Sequence, residues 1–102
     1  MLISTSIDKL AIFADPLRAE IIELLADEQL CTCHLVEMTG ARQPTVSHHL
    51  KILRDAGLVE TEAVGRNTYY RLLSGPLDEY AELLSGLSER AMSASKVRHP
   101  CT

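Results

Sequence analysis

Apolar residues recur along most of this chain at intervals of three and four, and the pattern breaks at a few well-marked places. Over residues 5–13, Ile7, Leu10 and Ala11 share one helical face, with Ser6 as a candidate N-cap. The next run, ADPLRAEIIELLADEQ, has Asp15 as a cap and Pro16 as its first helical residue; Leu17, Ile21, Leu24 and Leu25 form its stripe. Leu30, Leu35 and Met38 give EQLCTCHLVEMTG the spacing of a short half-buried helix, stopped by Gly40. In ARQPTVSHHLKILRDAG, Pro44 fits a first turn and Gly57 a stop. Val46, Leu50 and Leu53 share one face there; His48 and Lys51 lie nearly opposite, with Thr45 and Ser47 toward the flanks.

The period then changes. Residues 58–62 and 68–72 are rich in strand formers and flank Gly65-Arg66-Asn67, which predicts a β-hairpin with a basic tip. A last helix over 76–94 carries Leu77, Tyr80, Leu84 and Leu87, and the tail 95–102 looks frayed. The order α-α-α-α-β-β-α predicts a mainly α, winged helix-turn-helix domain spanning 1–102. Residues 32–56 form its helix-turn-helix and 58–72 its wing. Residues 1–13 and 76–94 are left as dimerisation helices.

Composition is ordinary for a globular domain, with 46% hydrophobic and 24% charged residues. No apolar run approaches the ~20 residues that span a bilayer, and the N-terminus lacks a signal-peptide pattern. Together these make a cytoplasmic protein with no membrane partner the expectation. Three cysteines in a C-x-C plus one arrangement point to metal or redox chemistry rather than a secreted disulfide framework. The net charge of −4 argues against nucleic acid until its distribution is read. Residues 1–40 carry two basic groups against seven acids, whereas 41–71 carry five against three. The segment holding the amphipathic helix and the hairpin is the only net-positive third, which suits DNA.

ADPLRAEIIELL, LCTCHLVEMTGARQPTVSHHLKILRDAGLVE and GRNTYYRL together resemble the ArsR/SmtB family of metal-responsive winged-helix repressors, through roughly Ala14 to Leu73. LCTCHL is similar to the Leu-Cys-x-Cys-Asp-Leu box of the arsenic- and cadmium-sensing branch. The resemblance implies a homodimer that binds double-stranded operator DNA without metal and releases it when metal binds. Cys31 and Cys33 carry over as ligands. Val36 stands where arsenic sensors often have a third cysteine, and His34 where the box has Asp. Residues 76–94 contain no histidine, so the zinc site that other members place on their last helix is not expected.

Thiolates select soft ions. Two cysteines plus Cys101 as a third suit As(III) or Sb(III); Cd(II), Pb(II) or Zn(II) is the alternative, with His34 or His99 completing a zinc or cadmium site. On a helix, side chains two apart diverge by ~200°, so one ion is expected to gather Cys31 and Cys33 only by disturbing the helix start. A disulfide across C-x-C looks geometrically awkward, so a redox pair is expected to involve Cys101. Free cysteines also serve as small half-buried hydrophobes.

On the polar helix, Gln43, Thr45, Ser47 and His48 are expected to read base edges. Lys51, Arg54 and the hairpin's Arg66 are expected at phosphates. His49 is expected at the core's edge and Asp15 as a cap. A small thiol enzyme and a metal-blind interaction module are the readings from other classes. The chain has no C-x-x-C, no cysteine-bearing phosphate loop and no convincing Ser-His-acid set, so an enzyme is not expected.

Overall fold

The punctuation of the sequence sets most of the element boundaries. The computed structural model describes residues 8–101. Lys9–Phe13 form a 3-10 helix; the segment expected as a helix over 5–13 is 3-10 where it is described, and Ser6 and Ile7 lie outside the described residues. Helix α1, Pro16–Leu25, starts where the Asp15 carboxylate accepts the Arg18 backbone N–H at 3.0 Å. Pro16, which has no N–H to leave unpaired, takes its first position. Strand β1 is Leu30–Cys31, α2 is Thr32–Thr39 and α3 is Gln43–Asp55. Strands β2, Val59–Val64, and β3, Asn67–Leu72, form a hairpin around the two-residue loop Gly65–Arg66; α4 runs over Ser74–Ala94.

Gly40 ends α2 with φ 73°, a left-handed conformation that side chains with a Cβ resist, and its N–H reaches Val36 O at 3.0 Å. At the end of α3 the Gly57 N–H bonds Arg54 O and the Leu58 N–H bonds Leu53 O, each at 3.0 Å. The apolar contact that accompanies this termination is supplied by Leu53 and Leu58, both fully buried.

One cluster makes the core: Ile21 and Leu25 of α1, Leu30, Leu35 of α2, Val46, Leu50 and Leu53 of α3, and Leu58 and Val59. Met38, expected on the buried stripe of α2, is 49% exposed. The sheet adds a strand that local pattern did not show. Its order is β1-β3-β2, all antiparallel, with Leu30 opposite Tyr70 and Cys31 opposite Tyr69. Across the hairpin, Glu60 faces Arg71 in register and the two form an ion pair.

A polar knot ties the N-terminal turn and α1 to α3. The Arg18 guanidinium donates to Ile12 O at 2.6 Å and to His49 Nδ1 at 3.2 Å. A guanidinium only donates, so Nδ1 is the acceptor, and Nε2 faces Asp15 Oδ1 at 3.6 Å. His49 is thereby buried with its ring nitrogens occupied. The Arg18 backbone N–H holds the Asp15 carboxyl below its usual range, with burial opposing it. Asp15 therefore contributes stability above the ordinary carboxylate pKa of ~3.9, and that contribution is lost as pH falls through its lower folded value. In Asp15→Asn, which keeps a capping side chain but loses the charge, urea unfolding followed from pH 6 to 2 should show a shallower acid limb than wild type.

Helix α4 joins the core only at its start. Tyr80 meets Phe13 edge to face with centroids 5.0 Å apart, and Leu77 packs beside it. Farther along, no residue is buried, and Leu84 and Met92 are exposed. The radius of gyration is 17.6 Å, against ~13 Å for a compact chain of this length; the helix projects from the body.

Candidate functional site

Cys31 belongs to β1, and at φ −89°, ψ 168° it is the extended N-cap of α2 rather than a helical residue. Cys33 lies in the first turn of that helix. The helical divergence expected between them therefore does not arise. Their Cα atoms are 5.4 Å apart and the two sulfurs are joined as a disulfide, within the normal span for such a bond. Two expectations are corrected by this geometry. A disulfide across C-x-C is accommodated without Cys101, and no unwinding of α2 is needed to bring the sulfurs together. Cys31 is 3% exposed and Cys33 is open to solvent, so one sulfur of the pair is sheltered and the other accessible.

His34 completes the corner. Its Nδ1 accepts the Cys31 backbone N–H at 3.2 Å, the reach-back that Glu or Gln makes in a capping box, and lies 3.3 Å from Cys31 Sγ. The His34 ring sits against Tyr69, centroids 6.0 Å apart, and Tyr69 is the β3 residue opposite Cys31. Both sulfurs and a His34 ring nitrogen lie within 4.8 Å of one another, a convergence of metal-ligating types that occurs at one place among the described residues. Once reduced, Cys31 and Cys33 offer two thiolates, which fit a soft ion and disfavour magnesium or calcium. Cys101 is a free, exposed cysteine in the coil beyond α4 and is not part of this cluster. Tyr69 had no local signal in the sequence; only strand pairing brings it here.

Directly after this corner, α3 separates its two faces. Val46, His49, Leu50 and Leu53 are buried, while Gln43, Thr45, Ser47, His48, Lys51 and Arg54 are exposed. Adjacent His48 and His49 thus differ in setting, one open to solvent and the other bound into the Arg18 knot, with their rings meeting edge to face at 5.5 Å. Arg54 is shared with Asp55 at 3.8 Å on the open surface, a contact worth little in water and readily exchanged for a phosphate. Arg66 stands exposed in the hairpin loop. The arrangement is a helix-turn-helix, α2 and α3 around Gly40, followed by a wing.

Residues 15–61 match the family described as bacterial regulatory protein, arsR family. An arsenical resistance operon repressor of Staphylococcus aureus is 41% identical over 76 residues, which is 74% of this chain and 73% of that protein. This chain belongs to the arsR family. The fold agrees: an ArsR-like transcriptional regulator from Rhodococcus sp. RHA1 superimposes with a TM-score of 0.77 at 27% identity, covering 91% of this chain and 92% of that one. A homodimeric winged helix-turn-helix DNA-binding domain from Mycobacterium bovis, Mb0332, gives 0.62 at 25% identity over 96% and 88% of the two chains. As an arsR-family member this protein is a winged-helix transcriptional regulator, and no helix among its described residues is long and apolar enough to cross a membrane.

Proposed function

We propose that this protein is a homodimeric repressor that holds operator DNA in its ion-free, reduced form and releases it when a thiophilic ion binds Cys31 and Cys33. Arsenite or antimonite is the leading inducer, with cadmium, lead or zinc as the alternative. The observation that carries this reading is the convergence of the two sulfurs at the N-cap of α2. An ion bonded to both fixes the angle between β1 and α2, and α2 leads through Gly40 into the DNA-facing helix. Likeness to an arsenical resistance repressor supports the choice of ion. Three thiolates suit a trivalent metalloid, so Cys101 is assigned as the third sulfur for arsenite. Reduced thiols and operator DNA are both cytoplasmic conditions, and the cytoplasm is where this function belongs.

In the proposed complex Gln43, Thr45, Ser47 and His48 meet base edges in the major groove, while Lys51, Arg54 and Arg66 meet phosphates. The projecting α4, with Leu84 and Met92 uncovered, is assigned to the dimer contact together with the N-terminal segment, and likeness to a homodimeric domain supports it. Two recognition helices then face a pseudo-palindromic site. Removing one phosphate contact, as in Lys51→Ala or Arg66→Ala, should lower the slope of log affinity against log salt by ~1 per contact and weaken all sequences alike. Binding isotherms at four salt concentrations measure that slope.

The disulfide favours a second, compatible reading in which oxidation also switches the protein. A bonded pair has no thiolate to give, so oxidised protein should ignore arsenite until a reductant restores the response. Fluorescence anisotropy on the operator, titrated with arsenite, antimonite, cadmium and zinc with and without reductant, tests both readings. An operator complex indifferent to every ion under reducing conditions would overturn the first.

A further inference from the structure

We infer that Arg18 and Asp15, at the start of α1, position His48 for base reading by locking the ring of its neighbour His49. The inference rests on His48 as a base-reading residue and deepens that reading by naming what orients the imidazole. Three observations carry it.

The His49 ring is held at both nitrogens. Nδ1 accepts from the Arg18 guanidinium at 3.2 Å, and Nε2 faces Asp15 Oδ1 at 3.6 Å. Those two partners are themselves tied. Arg18 also donates from Nε to Ile12 O at 2.6 Å, and Asp15 accepts the Arg18 backbone N–H at 3.0 Å. His49 is buried, and among the described residues no buried side-chain nitrogen or oxygen lacks a partner. Turning the ring would strand its nitrogens away from water.

The second observation is the contact between the rings. His48 meets the locked His49 ring edge to face, with centroids 5.5 Å apart and planes at 60°. His48 is otherwise open to solvent, so its neighbour's ring is what orients its own. The third is the chemistry of position 49. The rest of the buried face of α3 is Val46, Leu50 and Leu53. An aliphatic residue would fill that place without needing two polar partners, so packing alone does not account for an imidazole there.

A side chain already held in its bound orientation spares a factor of roughly two to ten in binding. That gain falls only on the base pair His48 can hydrogen-bond, since a mismatched pair takes no benefit from an oriented imidazole. The knot therefore acts on discrimination between sequences and leaves the phosphate contacts alone.

The test uses full-length, reduced, ion-free protein and a duplex that wild type selects from a random-sequence pool. Affinities for that duplex and for each single base-pair change in it give the preference at every position. His48→Ala marks the positions His48 reads. Arg18→Lys keeps the charge but lacks the forked donor that joins Ile12 O to His49; His49→Leu fills the core and removes the ring. Both should lose roughly two- to tenfold of preference at the marked positions and none elsewhere, with no further loss when combined with His48→Ala. A variant that is merely less stable weakens every duplex in proportion, so its preferences are unchanged. In free Arg18→Lys protein the nuclear Overhauser contacts between the His48 and His49 rings should weaken. Wild-type preference at the marked positions in either variant, loss spread over all positions, or unchanged ring contacts in Arg18→Lys would overturn the inference. If His48→Ala itself keeps every wild-type preference, base reading by His48 fails and the inference falls with it.

Discussion

Operator release by arsenite, antimonite, cadmium and zinc is expected to disappear in Cys31→Ser/Cys33→Ser, while the ion-free protein still binds DNA. Serine is close to cysteine in size and is the better N-cap of the two, so the start of α2 should hold and the core should not notice. Ion-free operator affinity should stay within about twofold of wild type, the range of a structurally quiet substitution. What is lost is the pair of soft donors, for which a hydroxyl is no substitute. Each single variant retains one sulfur and cannot tie β1 to α2, so it should also fail to respond at ion concentrations that saturate wild type. Anisotropy titrations under reducing conditions give the answer directly. Full release in the double variant would move the sensor elsewhere in the chain.

Leu50→Ala is expected to have the largest effect on stability, a loss of ~2–5 kcal/mol. Leu50 is fully buried on the inner face of α3 and belongs to the cluster that α1, α2 and the start of β2 also enter. A small domain has only ~5–15 kcal/mol in hand, so the variant should unfold at much lower urea and bind operator only through its remaining folded fraction. Leu84→Ala provides the contrast. That side chain is 53% exposed on the projecting part of α4, so its loss should leave the protomer's own packing nearly untouched and act on subunit association. Urea melts followed at several protein concentrations separate the two. Leu50→Ala lowers the midpoint at every concentration, and Leu84→Ala lowers it mainly at high dilution.

The parts of the fold that could be read along the chain are those written in local chemistry. Asp15-Pro16 starts a helix, Gly40 and Gly57 end two more, and Gly65-Arg66 turns the hairpin, because caps and tight turns depend on a few neighbouring residues. The division of α3 into buried and exposed faces was equally legible, since one helical period fixes it. What escaped depends on distant residues. Leu30 and Cys31 looked helical because Leu30, Leu35 and Met38 are spaced that way; pairing with Tyr70 and Tyr69 draws them into an extended conformation. The extended conformation of Cys31 decides the chemistry of the pair. A helical Cys31 would set the thiols apart, whereas the extended one brings the sulfurs together with α2 intact. The helical period sets His49 near the core, yet its partners Arg18 and Asp15 lie over thirty positions away in the chain and no periodic pattern pairs them.

The two-residue strand has a mechanical consequence. Cys31 is at once the last residue of β1, laddered to Tyr69 of the wing, and the cap of the helix that leads into the recognition element. The corner where the sulfurs meet is thus the fulcrum between two arms, one ending at Gln43 and His48, the other at Arg66. A clamp placed at a fulcrum changes the angle between arms more than the shape of either. Under the proposed function, the quantity an ion would set is the reach of the protein across a half-site, from base edges in the groove to the flanking phosphates. Operators that differ in that reach, rather than in sequence, are where bound and ion-free protein should part most widely.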